Sequence, residues 1–338
     1  MAIEIRERYR DVVRDRWPVS VDPQPDELLS SWLHRLALAN GIAPRSFASA
    51  LGLGEGMWSP RLDLQLPREA AALLADGTNV RQETISAMAM TEPALTPLLL
   101  PLRENVHRNR SSWMQYCPLC LASDEAPYFR RRWRLASRIS CSAHGCGLRD
   151  RCPACRTAIV SFDQVELVPQ HFCARCGFDL RAAPKAGVNA AARRLERAIA
   201  DICRVESATD SAATIDVVSR VLRAPVVADI GLGGTLTNVS TAARIRCFNQ
   251  LAAKRLDWLV THEDAAVAHR RRIILAAGGH DELIARFADF LGKHQTRPRS
   301  MCPPQPCAGL ADVLTAYLRV AGDRTTSKRH RRLRVPQP

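Results

Sequence analysis

Eight residues between positions 117 and 176 have the types and the spacing to hold metal. Cys117-Pro118-Leu119-Cys120 and Cys141-Ser142-Ala143-His144 form two ligand pairs. Cys152-Pro153-Ala154-Cys155 and Cys173-Ala174-Arg175-Cys176 form two more. A two-residue spacer lets both side chains of one tight turn point at a single ion, and two such pairs complete the tetrahedron that Zn²⁺ accepts. Twenty residues separate the first two pairs and seventeen the second two, the latter close to a zinc-ribbon spacing. Sequential pairing is expected, with two ions per chain. Interleaved pairing is the alternative, in which Cys117 and Cys120 share an ion with the third or fourth pair. Cys146 is an alternative to His144, and His171 stands beside Cys173. Four protein ligands leave no position open for water, so these sites read as structural. Metal binding at such sites is folding energy, on the order of 10–16 kcal/mol in comparable peptides.

The remaining cysteines read differently. Cys302 and Cys307 lie in a Pro-rich stretch without a second pair nearby and are taken as non-metal. Cys203 and Cys247 fall in helical segments and read as small core residues. Twelve cysteines, no apolar leader and no run of about 18 apolar residues point to a reduced, cytoplasmic chain rather than a disulfide or membrane protein.

The chain has 338 residues, a formal net charge of +14 and a pI near 9.7. A surplus of that size favours a polyanionic partner, nucleic acid first. Arg130, Arg131, Arg132 and Arg134 surround Trp133 within the loop of the first metal pair set, where a metal-fixed fold can aim guanidinium groups at phosphates. Phe129 and Trp133 are expected inward, with some of the arginines outward. Arg138, Arg149, Arg151, Arg156 and Arg175 add to the charge of the same module. Lys328, Arg329, Arg331 and Arg332 in the tail are further nucleic-acid candidates, and Arg270 to Arg272 form a basic run on a helix. No Gly-rich phosphate loop ending in Lys and Ser or Thr occurs, and no His-Glu-x-x-His, so no catalytic residues are assigned.

The elements that must position these groups are mostly helical. Leu28, Leu29, Trp32, Leu33, Leu36 and Ala37 recur on one helical face over about 26–40, with Asn40-Gly41 as a stop signal. A second short helix carries Phe47, Ala48 and Leu51, and the pair resembles a helix-turn-helix. Further helices are expected at 67–76, 83–90, 188–205, 212–223, 238–260, 262–277, 280–292 and 309–321. The fold class is therefore mainly α, with a central zinc-ribbon or zinc-finger module of short hairpins. The expected organisation is a charged arm at 1–16, an N-terminal helical part at 17–112, a double metal module at 113–184, a C-terminal helical domain at 188–324 and a basic tail at 325–338.

Two stretches resemble the TniQ family of transposition proteins, which includes the TnsD-type target selectors. The first is Pro25-Asp26-Glu27-Leu28-Leu29-Ser30-Ser31-Trp32-Leu33-His34-Arg35-Leu36-Ala37. The second is Tyr116-Cys117-Pro118-Leu119-Cys120, then Tyr128-Phe129-Arg130 and Trp133, Cys141-x2-His144-Gly145, Leu148, and Arg151-Cys152-Pro153-Ala154-Cys155. The likeness covers about residues 18–185. It implies a non-catalytic adaptor that binds target DNA or a DNA-bound complex and recruits an AAA+ ATPase of the TnsC/TniB type. The transposase, an RNA-guided complex and a second copy of the chain are further partner candidates. It also implies the eight ligands named above, with His144 rather than Cys146. The alternative reading is a zinc-dependent DNA-binding transcription regulator of a mobile element.

Overall fold

The computed structural model describes residues 17–50, 60–91, 95–102, 110–159, 161, 164–208, 213–230, 234–253 and 273–294. The arm, the tail, Cys302, Cys307, Arg270 to Arg272 and the helix expected at 309–321 lie outside them. The described residues are helical, joined by isolated antiparallel bridges and no sheet. Those up to Phe287 form one compact unit; beyond it, the described residues are the end of the last helix.

The N-terminal part comprises α1 (Leu29–Ala39), α2 (Pro44–Ala50), α3 (Arg68–Thr78) and α4 (Gln82–Ala87). Leu29, Trp32, Leu33 and Leu36 of α1 bury against Phe47, Leu62, Leu74 and Ile85. The helix begins three residues later than its sequence pattern suggests. Glu27 instead bridges to Arg130, and the Leu28 amide donates to the Phe129 carbonyl at 3.0 Å. A tertiary contact thus claims the residues that periodicity assigns to the first turn. Asp63, distant in sequence, caps the helix: its carboxylate accepts from the Ser30 amide and hydroxyl, both at 2.8 Å. A carboxylate there also offsets the positive end of the helix dipole. Gly41, at φ +69°, ends α1 with paired bonds from Gly41 to Leu38 and from Ile42 to Ala37, a Schellman closure. Helix α4 stops short of Met90 because the Met90 amide turns away to the Asp63 carbonyl.

The C-terminal part comprises α6 (Ala190–Ala208), α7 (Ala213–Leu222), α8 (Ala224–Val227), α9 (Thr241–Ala253) and α10 (His280–His294). Ala192, Leu195, Ile199 and Ile202 form the inward stripe of α6 and pack with Val217, Val221, Phe248 and Leu251. Cys203 and Cys247 lie in this core. Leu98, Leu100, Ala136 and Ile139 from earlier in the chain complete it.

Between the two lies the cysteine-rich segment, with the short helix α5 (Pro118–Ser123) and a 3-10 turn at Arg131–Arg134. Its extended stretch Trp113 to Tyr116 ties the parts together. The Gln115 amide donates to the carbonyls of Trp133, Leu135 and Arg138. Its carbonyl oxygen accepts from Thr241 and from Arg244 of α9, both at 3.0 Å. Glu196 of α6 receives the Ile139 amide and the Ser140 hydroxyl.

Candidate metal centres

The four ligand pairs are built from one repeated device, with one variation. In three of them the backbone curls so that the amide of the residue after the second ligand meets the carbonyl of the first. Gly145 bonds to Cys141 at 2.8 Å, Arg156 to Cys152 at 3.0 Å and Gly177 to Cys173 at 2.8 Å. The first ligand's amide then meets the carbonyl two residues past the second ligand: Cys146, Thr157 and Phe178 in turn. This curl needs a left-handed residue at its end. Gly145, Arg156 and Gly177 have φ of +63°, +65° and +69°. The expected hairpins reduce to single bridges, Ser140 to Gly147, Arg151 to Ala158 and Phe172 to Asp179. The remaining pair is different, because Cys117 caps α5 and Pro118 opens it, a position where the missing amide hydrogen costs nothing.

The turns gather the pairs in sequence order. Cys117, Cys120, Cys141 and His144 form one cluster and Cys152, Cys155, Cys173 and Cys176 the other, with all ligand atoms of each within 4.8 Å of one another. Their separations test whether an ion fits. A tetrahedral ion with metal–sulfur bonds of about 2.3 Å and metal–nitrogen bonds of about 2.05 Å sets ligand atoms about 3.6–3.8 Å apart. In the first cluster Cys120 and Cys141 sulfurs are 3.4 Å apart, and His144 Nδ1 stands 3.7, 3.3 and 3.6 Å from Cys117, Cys120 and Cys141. In the second, Cys152 to Cys176 and Cys155 to Cys173 are both 3.7 Å. Both donor sets fit a four-coordinate ion.

The clustered thiols shift in opposite directions: Cys120, Cys152 and Cys173 are pushed up, by hydrogen bonds to neighbouring thiols at Cys120 and by burial at the other two, while Cys117 and Cys155 are pulled down. Hydrogen bonding from the Cys120 thiol pulls the Cys117 pKa down toward the thiolate that a metal needs. At Cys155 burial acts upward but is outweighed, chiefly by the Thr157 hydroxyl and amide. Thr157 was not singled out from sequence. It sits at the same knuckle position as Cys146, whose sulfur lies 3.5 Å from Cys117. Only Thr157 acts there as a donor that lowers a ligand thiol; the Cys146 hydrogen bond raises Cys117 instead.

A second core surrounds the clusters: Trp113, Met114, Tyr116, Leu121, Phe129, Trp133 and Leu148 are buried with the cysteines. Phe129 and Trp133 therefore plug the first centre, edge to face at 6.1 Å. The arginines beside them are largely spoken for. Arg130 forks onto Asp124 and lies over the Tyr128 and Trp133 rings. Arg132 pairs with Asp26 and donates to Ser142. Arg138 faces Glu196 at 3.8 Å, and Arg131 is half-buried. Arg134 is fully buried, over the Trp113 ring and bonded to its carbonyl, and burial lowers its pKa to about 10. Contrary to the outward role considered from sequence, Arg134 presents no surface to a phosphate. Lys328, Arg329, Arg331 and Arg332 lie outside the described residues.

Among the described residues no helix is long and apolar enough to cross a membrane. These features define a helical protein knit around two clusters, one Cys/His and one all-Cys, that could each hold a metal ion. Residues 18–148 match the TniQ family model. That match runs from the strand-like entry of α1 through the whole first cluster. No curated protein matches the chain.

Proposed function

We propose that this protein is a zinc-stabilised, non-catalytic adaptor of transposition. In this reading both ions are Zn²⁺ and structural. The adaptor engages target DNA, or a complex already on DNA, and recruits an AAA+ ATPase of the TnsC/TniB type. The observation that carries it is the coincidence of the TniQ match with the first four-ligand cluster. The cluster packs against α1 through Phe129 and Leu28, so the metal centre and the N-terminal helices act as one body. Four protein ligands per ion favour a scaffold over metal catalysis. The pair α1 and α2, joined by residues 40–43, is proposed as the helix-turn-helix-like element, with Arg45 and Ser46 exposed at the start of α2.

The test is metal analysis of the purified chain together with co-purification from cells holding its neighbouring genes. About two zinc ions per chain, with an AAA+ ATPase and DNA recovered, is the expected result. Two ions with DNA alone would favour the transcription-regulator reading. A folded chain without zinc would end the proposal.

A further inference from the structure

The two metal centres differ in the ligand that each turns to solvent. In the first, Cys117, Cys120 and Cys141 are buried together with Phe129 and Trp133, and the exposed ligand is the His144 imidazole. In the second, Cys152 and Cys173 are buried, Cys155 is partly so, and the exposed ligand is the Cys176 thiol. A cleft of about 360 Å³ opens there, lined by Cys173 and Cys176 with Val168, Phe172, Glu166 and Arg175. Solvent therefore reaches the edge of a ligand set made entirely of sulfur.

Exposure has different consequences for the two ligand types. A ligating sulfur is a thiolate, which is also the form that attacks electrophiles and peroxides. Its oxidation passes through sulfenic acid and can close to a disulfide with a neighbouring thiol. An imidazole ligand has no such sequence of sulfur oxidation states. The first centre thus shows a peroxide a nitrogen while its sulfurs are packed away, and the second shows it a sulfur. A thiol to receive that sulfur is at hand, since Cys152 Sγ lies 3.7 Å from Cys176 Sγ within the same cluster.

We propose that Cys176 is a site of oxidation by hydrogen peroxide, with Cys152 as the thiol that resolves it, so that the second centre gives up its ion reversibly while the first keeps its own. The Cys176 thiolate attacks one peroxide oxygen, the O–O bond breaks, and hydroxide leaves with the electron pair, giving a sulfenic acid at Cys176. The Cys152 thiolate then attacks that sulfur, the S–O bond breaks, and a second hydroxide leaves as the disulfide forms. Two thiolates have lost two electrons to one peroxide. Cys155 and Cys173 alone then remain as ligands, half of the tetrahedral set that Zn²⁺ takes in such sites. A dithiol reductant reverses the change by thiol–disulfide exchange. This assignment presupposes zinc in both centres, as read above, and gives one of them a regulatory part.

The effect reaches beyond the knuckles. The chain between Cys155 and Cys173 touches both N-terminal helices: the Gln164 carbonyl accepts from the Arg45 amide of α2 at 3.2 Å, and the Gln170 side-chain amide donates to the Ser31 hydroxyl of α1 at 3.0 Å. The second centre thus braces α1 and α2, and loss of its ion loosens that brace.

The test uses the full metal-loaded chain, with zinc content measured before any oxidant is added. Hydrogen peroxide follows, a chromophoric zinc-binding dye reads release, and mass spectrometry of the peptides identifies the oxidised cysteines. One of the two ions should leave, together with formation of a Cys152–Cys176 disulfide, and dithiothreitol with added Zn²⁺ should restore the second. Cys176→His gives the second centre an exposed imidazole like that of the first, so this variant should hold two ions and release neither. His144→Cys gives the first centre an exposed thiol, so this variant should release both. The oxidation map of the wild-type chain stands independently of either variant. First oxidation at Cys117, Cys120, Cys141 or Cys146 would overturn the proposal and leave the zinc reading intact. Retention of both ions with Cys176 unmodified, or release from Cys176→His as fast as from wild type, would do the same. A folded chain that holds no zinc before the oxidant is added would overturn both.

Discussion

Gly177 ends the last knuckle at φ +69°, and a Cβ added there would meet nothing within 4 Å. Its replacement by Ala therefore isolates the backbone cost. A left-handed conformation costs an L-residue about 1–2 kcal/mol. The lower chain entropy of unfolded Ala returns roughly 0.5–1 kcal/mol. The net is about 1 kcal/mol, or about a fivefold weaker hold on the second ion, because metal binding and folding of such a module are one equilibrium. Gly145→Ala should cost more at the first ion, since the added carbon would clash with Arg193 Nη1 and displace the bond that Arg193 makes. Arg156 occupies the same place in its knuckle at φ +65° without being glycine. Arg156→Gly should move the opposite way and tighten the second ion about two- to fivefold, from about 0.5–1 kcal/mol of relieved strain. Competition of each variant against a chromophoric zinc chelator at neutral pH reads the three effects directly. The reasoning fails if Gly177→Ala holds metal as tightly as wild type, or if Arg156→Gly holds it more weakly.

Three further outcomes are expected. Cys152→Ser should reduce bound metal from two ions per chain to one and lower the melting temperature, since Cys152 is a fully buried ligand; retention of two ions would exclude this centre. His34 is buried on α1, and burial followed by the nearby His171 lowers its pKa from 6.5 to about 3. The folded chain keeps His34 neutral while the unfolded chain protonates it, so its contribution is complete above about pH 6.5 and is lost as pH falls toward 3. His34→Gln should thus lose about 2 kcal/mol less stability than wild type between pH 6.5 and 5, measured by urea unfolding; parallel losses would refute this. Gln115→Ala strands three carbonyls and the buried Arg244 guanidinium, so unfolding free energy should fall by about 3 kcal/mol or more, and a loss under about 1 kcal/mol would show that Gln115 is not the tie between the parts.

The metal clusters were legible in the chain because their geometry is local. A two-residue spacer dictates one tight turn, and four such turns leave few ways to fill two tetrahedra. Even so, the choice of sequential over interleaved partners came from the fold, which sets Cys120 against Cys141 rather than against the later pairs. The cores of α1 and α6 were equally legible, since burial of a helical stripe repeats at fixed spacing. Helix ends were less so. The start of α1 is claimed by Phe129 and capped by Asp63, partners that no local pattern announces.

The arginines mark the boundary most sharply. Their number and their crowding near the cysteines are properties of the chain, and so is the net charge of +14. Which of them face solvent is not, because a guanidinium is exposed or consumed according to what the fold sets beside it. Arg132 meets an aspartate 106 positions away, and Arg244 a glutamine 129 positions away. Ligand identity and helical faces follow from short-range stereochemistry, which spacing encodes. Which arginines meet a carboxylate and which are buried follows from long-range pairing, which exists only after the chain has folded.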